Sequence, residues 1–232
     1  MALPDLFGRL GPEIEDPEEG MLKEGSWKIT PLVASWLNSP DNLLWKTGAF
    51  SSASAVLELG CGISGLVGLA LSPLVSRYVL TDQTYVARLV EKNLEENVVV
   101  QQKSSSQKHW ELDEVTASLT GSPDVASFDA VIACDCIYND TLIEPLVQTC
   151  ADACNLRRRD QEAGAQGDGS MTPALCIVAQ QLRDPEIFEG WIKEFAKHFR
   201  VWRVPEEALS KELRANTGFV VHIGVLKNTS AI

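Results

Sequence analysis

The chain has 232 residues, 45% of them apolar and 22% charged, and its 20 Lys and Arg against 32 Asp and Glu give a net charge of −12. That is apolar material for one sizeable domain with a packed core. The acidic balance argues against direct binding to nucleic acid or an anionic membrane and favours a basic partner.

No stretch nears the roughly 20 apolar residues of a membrane helix. The N-terminus, Met1 to Asp5, lacks the basic and apolar regions of a signal peptide. Of six cysteines, Cys61, Cys134, Cys136 and Cys176 fall in apolar or strand-like runs and read as small buried hydrophobes of an intracellular protein. Cys150 and Cys154 stand four apart on a predicted helix with no His beside them, so no metal site is expected.

Residues 1–25 are rich in Pro, Gly and acids and are expected as a flexible acidic arm, with a single domain over 26–232. Thr30 as N-cap and Pro31 at the first helical position open a helix whose Leu32, Val33, Trp36 and Leu37 share one face. Leu43 to Trp45 continue the helical region up to Gly48. Ala55 to Leu59 read as the first strand, and Gly60, Gly62 and Gly65 form a Gly-x-Gly-x-x-Gly turn into a helix over 66–74. Gly60 and Gly62 allow a sharp turn and close approach of the backbone to a ligand.

Arg77 to Asp82 read as the second strand, and Asp82, 22 residues after Gly60, stands where an acid accepts hydrogen bonds from ribose hydroxyls. Glu58 interrupts the first strand, where an apolar side chain is the rule. A carboxylate there suits a positively charged ligand and repels pyrophosphate, which favours S-adenosylmethionine over NAD. The plainer alternative is that Glu58 only braces the glycine loop.

A helix is expected over 84–97 with Val86, Leu89, Val90 and Leu94 inward, a third strand at 98–100, and an irregular polar stretch over 103–124. Phe128 to Asp135 read as a central fourth strand, followed by a helix from Thr141 to Leu156. Composition then shifts to Arg, Gly, Gln and Asp over 157–172, and 160–170 are expected as a disordered insertion. A strand at 174–180, a helix at 184–198, a strand at 199–204, a short helix within 206–214 and a strand at 219–226 close the chain. Alternating strands and helices with two final strands predict an α/β fold: a doubly wound, mostly parallel seven-stranded sheet with a terminal antiparallel hairpin.

Glu58-Leu59-Gly60-Cys61-Gly62, Asp82, Asn93-Leu94-x-x-Asn97 and Asp135-Cys136-Ile137-Tyr138 together resemble the seven-β-strand (class I) protein lysine methyltransferases. Trp27-Lys28-x-Thr30-Pro31 and Thr81-Asp82-Gln83 resemble the fungal ribosomal lysine methyltransferases among them. The resemblance covers about residues 25 to 227. It implies S-adenosylmethionine as cofactor, with Gly60, Cys61 and Gly62 lining its methionine end and Asp82 holding the ribose. Trp27 packs beside the cofactor in that scheme, Trp110 lies near the adenine, Cys134 makes a backbone contact, and Asp135 and Tyr138 match the family's acid and aromatic.

The plain alternatives stay open: Trp27 and Trp110 as surface-covering aromatics, Cys134 as core, Asp135 as a helix cap, Tyr138 as packing. The resemblance further implies a basic protein substrate, a ribosomal or translational protein, methylated on lysine by a monomeric cytoplasmic enzyme with the nucleus as second location. Competing expectations are a small-molecule methyltransferase on the same fold and a cofactor-binding module without turnover. An NAD oxidoreductase ranks lower because of Glu58.

Overall fold

The computed structural model of the chain describes residues 6, 29–83, 86, 89–93, 103–107 (backbone only), 114–164, 172–214 and 217–228. Its centre is built from runs too apolar to tolerate water on either face. β1 (Ala55–Leu59), β4 (Ala130–Cys134) and β5 (Leu175–Gln181) are buried along nearly their whole length, as central parallel strands are when helices cover both sides. With β2 (Arg77–Asp82), β3 (Lys103–Gln107), β6 (Phe199–Arg203) and β7 (Phe219–Leu226) they form a seven-stranded sheet of order β3-β2-β1-β4-β5-β7-β6. The pairs among β3, β2, β1, β4 and β5 are parallel, whereas β7 runs antiparallel to both β5 and β6.

Side-chain alternation sends each strand's residues into two separate cores. Val56, Tyr78, Leu80, Ile132 and Ile177 pack under α1 (Ile29–Asn38), α2 (Leu43–Lys46) and α3 (Leu66–Leu71). Leu57, Leu59, Val79, Val131 and Val178 pack under α4 (Ile143–Gly164) and α5 (Pro185–His198). Helix α3 sits close to β2 because Gly68 faces it; a Cβ there would lie 2.6 Å from a Leu80 methyl and 3.1 Å from the Tyr78 ring.

Chain direction decides where a ligand fits. From β1 the chain winds outward to β2 and β3, then returns on the other side as β4. The strand order therefore reverses between β1 and β4, and the crevice at their carboxyl ends is the place where open α/β sheets bind ligands.

Several expectations are corrected. Helix α1 already includes Ile29, so Thr30 and Pro31 lie inside its first turn, and the Thr30 hydroxyl is engaged by the Cys134 thiol at 3.8 Å. Leu43 to Lys46 form a separate short helix, because the Asn42 side chain caps it by accepting from Leu44 N–H. The third strand lies at 103–107, inside the stretch expected to be irregular; residues 98–100 fall outside the described ones. Its polar sequence hid it, since an edge strand needs no apolar run to complete a backbone ladder with β2.

Leu89 is 50% exposed, whereas Val86 and Val90 are buried as expected; Leu94 falls outside the described residues. Helix α4 runs through Gly164, so Asp160 to Gly164 are helical and not part of a disordered insertion. Polar ties hold that extension: Asp160 accepts from the Ser127 hydroxyl at 2.6 Å, and Gln161 donates to the Thr172 carbonyl. In the N-terminal segment, Leu6 is fully buried within the first core, so that residue is packed in a stretch expected as a flexible arm.

Candidate active site

A cleft of about 420 Å³ opens at the carboxyl ends of β1, β2 and β4. Gly60 to Ser64 form one wall, Asp82, Gln83 and Val86 a second, and Cys134 to Cys136 with Tyr138 a third, while Thr30 of α1 closes the remaining side. A larger cleft of about 520 Å³ lies between Ser35–Lys46 and Pro205–Ser210, away from every predicted site residue.

The glycine turn is fixed from below and from the side. Gly60 and Cys61 both donate their N–H groups to the Thr81 carbonyl, at 2.9 and 3.1 Å. Gly60 and Gly62 adopt φ of 70° and 62°, a left-handed conformation that favours glycine. Asp82 accepts the Gly62 N–H on Oδ2 and the Gln83 N–H on Oδ1, both at 2.7 Å. A Cβ built on Gly62 meets nothing within 4 Å, so the space over this turn is open to a ligand.

Glu58 stands one layer lower than expected. It is 1% exposed, accepts a 2.8 Å hydrogen bond from the Tyr78 hydroxyl, and does not line the cleft. It acts on the site through charge: burial first, then Glu58, drives the Cys61 and Cys134 thiols far above their ordinary range. Burial likewise raises Cys136, whose Sγ donates to the Leu59 carbonyl at 3.1 Å. All three cleft thiols therefore stay protonated, and none supplies a thiolate nucleophile.

Asp135 follows the last residue of β4 and is the one non-glycine residue with positive φ (59°) among those described. Its N–H bonds the Ala179 carbonyl of β5 at 2.8 Å, which prolongs the strand pairing while the left-handed turn lifts the side chain toward the cleft rim. Arg183 grips the carboxylate as a fork, with Nη1 at 3.0 Å from Oδ1 and Nη2 at 2.6 Å from Oδ2. Tyr138 is 60% exposed and lines the same cleft.

The structure thus brings Gly60, Cys61, Gly62, Asp82, Cys134, Asp135 and Tyr138 together around one cleft. Trp27 and Trp110 lie outside the described residues. Thr30, which the sequence marks only as a helix cap and motif residue, and Arg183, outside every motif, are additions to the site; Arg183 is legible only from the β4–β5 register, which sets Cys134 opposite Ala179 and so brings the end of β5 to Asp135. Among the described residues no group of three His, Cys, Asp or Glu side chains is placed to hold a metal ion.

The cleft's chemistry is a test of ligand fit. Its described lining carries two carboxylates, Asp82 and Asp135, and no Lys or Arg. Open space over a glycine turn beside Asp82 accommodates a ribose, and a described lining with no Lys or Arg offers a pyrophosphate no cation.

The fold and this cleft define the chain as having the class I methyltransferase architecture. A tRNA methyltransferase of Aquifex aeolicus superposes with a TM-score of 0.53 at 13% identity, over 94% of this chain and 77% of that one. A TehB-like methyltransferase of Corynebacterium glutamicum gives 0.50 at 12% identity, over 84% and 86%. Residues 23–159 match the family described as lysine methyltransferase, and the chain belongs to that family.

Among curated relatives, a protein of Schizosaccharomyces pombe named diaminohydroxyphosphoribosylamino-pyrimidine deaminase is 29% identical over 185 residues, or 80% of this chain and 40% of that one. Ribosomal lysine N-methyltransferase 5 of Zygosaccharomyces rouxii is 26% identical over 206 residues, or 72% of this chain and 62% of that one. The chain spans less than two thirds of the length of these relatives.

Proposed function

We propose that this protein transfers a methyl group from S-adenosylmethionine to a lysine side chain of a basic protein, with a ribosomal protein as the acceptor. The observation that carries the proposal is that Asp135 and Tyr138 line the same cleft as the Gly60–Gly62 turn and Asp82. When bound, the cofactor supplies an activated methyl group. Gly60 to Gly62 and Asp82 would hold it, with Asp82 accepting from the ribose hydroxyls on lone pairs its two backbone bonds leave over.

Lysine presents a problem that the site must solve. Its ammonium carries no lone pair, and the neutral amine at pH 7 costs about 4 to 5 kcal/mol from a reference pKa near 10.4. Asp135 and Tyr138 at the rim orient the amine toward the cleft, and its withdrawal from water there disfavours the charged form. The net charge of −12 supports a basic acceptor. Ribosomal identity is favoured by the name of the Zygosaccharomyces rouxii relative. Six free, buried cysteines favour a reducing compartment such as the cytoplasm, where such an acceptor is made.

The test is incubation of the purified protein with labelled S-adenosylmethionine and salt-stripped ribosomal proteins, the label then being mapped by mass spectrometry. Methyl groups on lysine are expected. Label on arginine or histidine, or on small metabolites with no protein signal, overturns the proposal.

A further inference from the structure

A bare carboxylate beside an incoming lysine works against the chemistry. It attracts the ammonium but also stabilises it in the protonated, unreactive form. Asp135 is not bare. Arg183 forks onto both of its oxygens, and the Gln181 N–H points at Oδ1 from 3.4 Å. The Arg183 side chain is 49% exposed and that of Asp135 is 21% exposed, so the pair sits at the rim with the cation on the outer side. Arg183 reaches this place from the turn that links β5 to α5, just before Asp184, whose carboxylate is occupied in capping α5.

We propose that Arg183 is a positioning residue that cancels the charge of Asp135 without removing its hydrogen-bond acceptors, so that the rim orients a lysine amine and does not trap it as ammonium. The inference rests on the amine-holding reading of Asp135 and Tyr138. The other titratable groups facing that spot among the described residues are Cys61 from the glycine turn, Asp82 from β2, and Cys134, Cys136 and Tyr138 from β4 and its turn. Glu58 lies beneath the floor, and α1 offers only Thr30, which does not titrate. Arg183 is thus the one cation set against these groups in the described shell, and its fork neutralises both carboxylate oxygens, while the Gln181 N–H and the Asp135–Ala179 backbone bond keep the carboxylate in place.

The experiment uses the full chain as wild type, Arg183→Ala, Arg183→Lys and the Arg183→Ala/Asp135→Asn double variant. Two readouts are taken: binding of n-butylammonium chloride at pH 7, and the pH profile of methyl transfer to stripped ribosomal proteins from pH 6.5 to 9.5. Arg183→Ala is expected to bind n-butylammonium at least tenfold tighter, and its acid limb of transfer to move up by about one pH unit, as one uncancelled neighbouring charge predicts. Transfer at pH 9.5 should recover to within about twofold of wild type. Arg183→Lys should keep the wild-type limb, and the double variant should lose the extra n-butylammonium affinity.

An equal loss of transfer at every pH, or unchanged n-butylammonium binding in Arg183→Ala, overturns the inference while leaving the amine-holding reading intact. Wild-type protein that labels no lysine, or full transfer by Asp135→Ala, removes that underlying reading instead.

Discussion

Tyr78 donates a 2.8 Å hydrogen bond to Glu58 Oε2, joining two buried side chains on one face of neighbouring strands. Register sets Tyr78 opposite Val56, two residues from Glu58 on the same face, so the two are diagonal neighbours. A carboxyl this deep needs its donor. Tyr78→Phe keeps the ring and removes only the hydroxyl, and should lower stability by about 1.5 to 3 kcal/mol. The melting temperature should fall by several degrees, and an unchanged melting curve would mean the hydroxyl does not support Glu58.

Asp82 has two tasks, and its variant should show both. It braces Gly62 and Gln83 through backbone N–H groups and faces the cleft where a ribose belongs. Asp82→Ala should weaken S-adenosylmethionine binding more than tenfold, since charge-assisted hydrogen bonds contribute about 1.5 to 3 kcal/mol. Calorimetric titration of a folded variant checks this, and a wild-type dissociation constant would exclude Asp82 as the ribose ligand.

Much of this geometry was readable from the sequence, for identifiable reasons. β1, β4 and β7 are apolar enough to announce themselves, and the spacing from Gly60 to Asp82 places the turn and the acid at the same sheet edge. β3 was not readable, because Lys103-Ser-Ser-Ser-Gln107 carries no apolar alternation, and its place is marked by backbone pairing with β2, which a sequence pattern does not show. The extension of α4 past Leu156 was hidden for a related reason. Its Arg- and Gln-rich sequence looks like a loop, and the Arg157–Asp129 ion pair at 2.8 Å that ties it down is a long-range contact. Glu58 stands out in the sequence as an acid within an apolar strand, but its depth below the cleft does not, since a period-two pattern gives the face of a strand and not the depth of a cleft.

His222 offers a pH test far from the cleft. It is fully buried on β7 beside Phe188 and Trp191, and neither ring nitrogen has a hydrogen-bond partner among the described residues. Burial, and secondarily the charge of Arg203, hold its pKa down to about 3 from 6.5. Between those values the unfolded chain binds the extra proton, so stability falls as pH falls; above 6.5 the contribution is flat. From pH 6.5 to 5 the loss should approach about 2 kcal/mol, at about 1.4 kcal/mol per unit. His222→Leu should remove that slope, which paired denaturant titrations at the two pH values measure by difference.

Gly224 shows how tightly β7 meets α5. A Cβ there would fall 2.6 and 2.8 Å from two atoms of the Phe195 ring, itself stacked between Trp191 and Phe199. The ring has no room to yield, so Gly224→Ala should destabilise by about 1 to 3 kcal/mol as overpacking does. Thermal unfolding at wild-type midpoint would show that the stack shifts without cost.

The decisive test concerns Asp135 and Tyr138 at the end of β4. Asp135 holds a left-handed backbone conformation that few non-glycine residues adopt, and strained positions of this kind gather at functional sites. If its carboxylate orients the amine, Asp135→Ala should abolish methyl transfer while S-adenosylmethionine affinity changes little, because Asp82 and the glycine turn are untouched. Relief of the backbone strain is not on offer, since Ala disfavours positive φ more than Asp does. Some loss of stability should therefore accompany the variant, and Asp135→Asn, which tolerates that conformation, separates folding from function. Tyr138→Phe should cost less than Tyr138→Ala, because the exposed ring wall survives and only the hydroxyl is lost. Transfer to stripped ribosomal proteins and calorimetric cofactor binding, measured side by side on each variant, give both quantities. Full transfer by Asp135→Asn and Asp135→Ala alike would move the amine site elsewhere in the cleft.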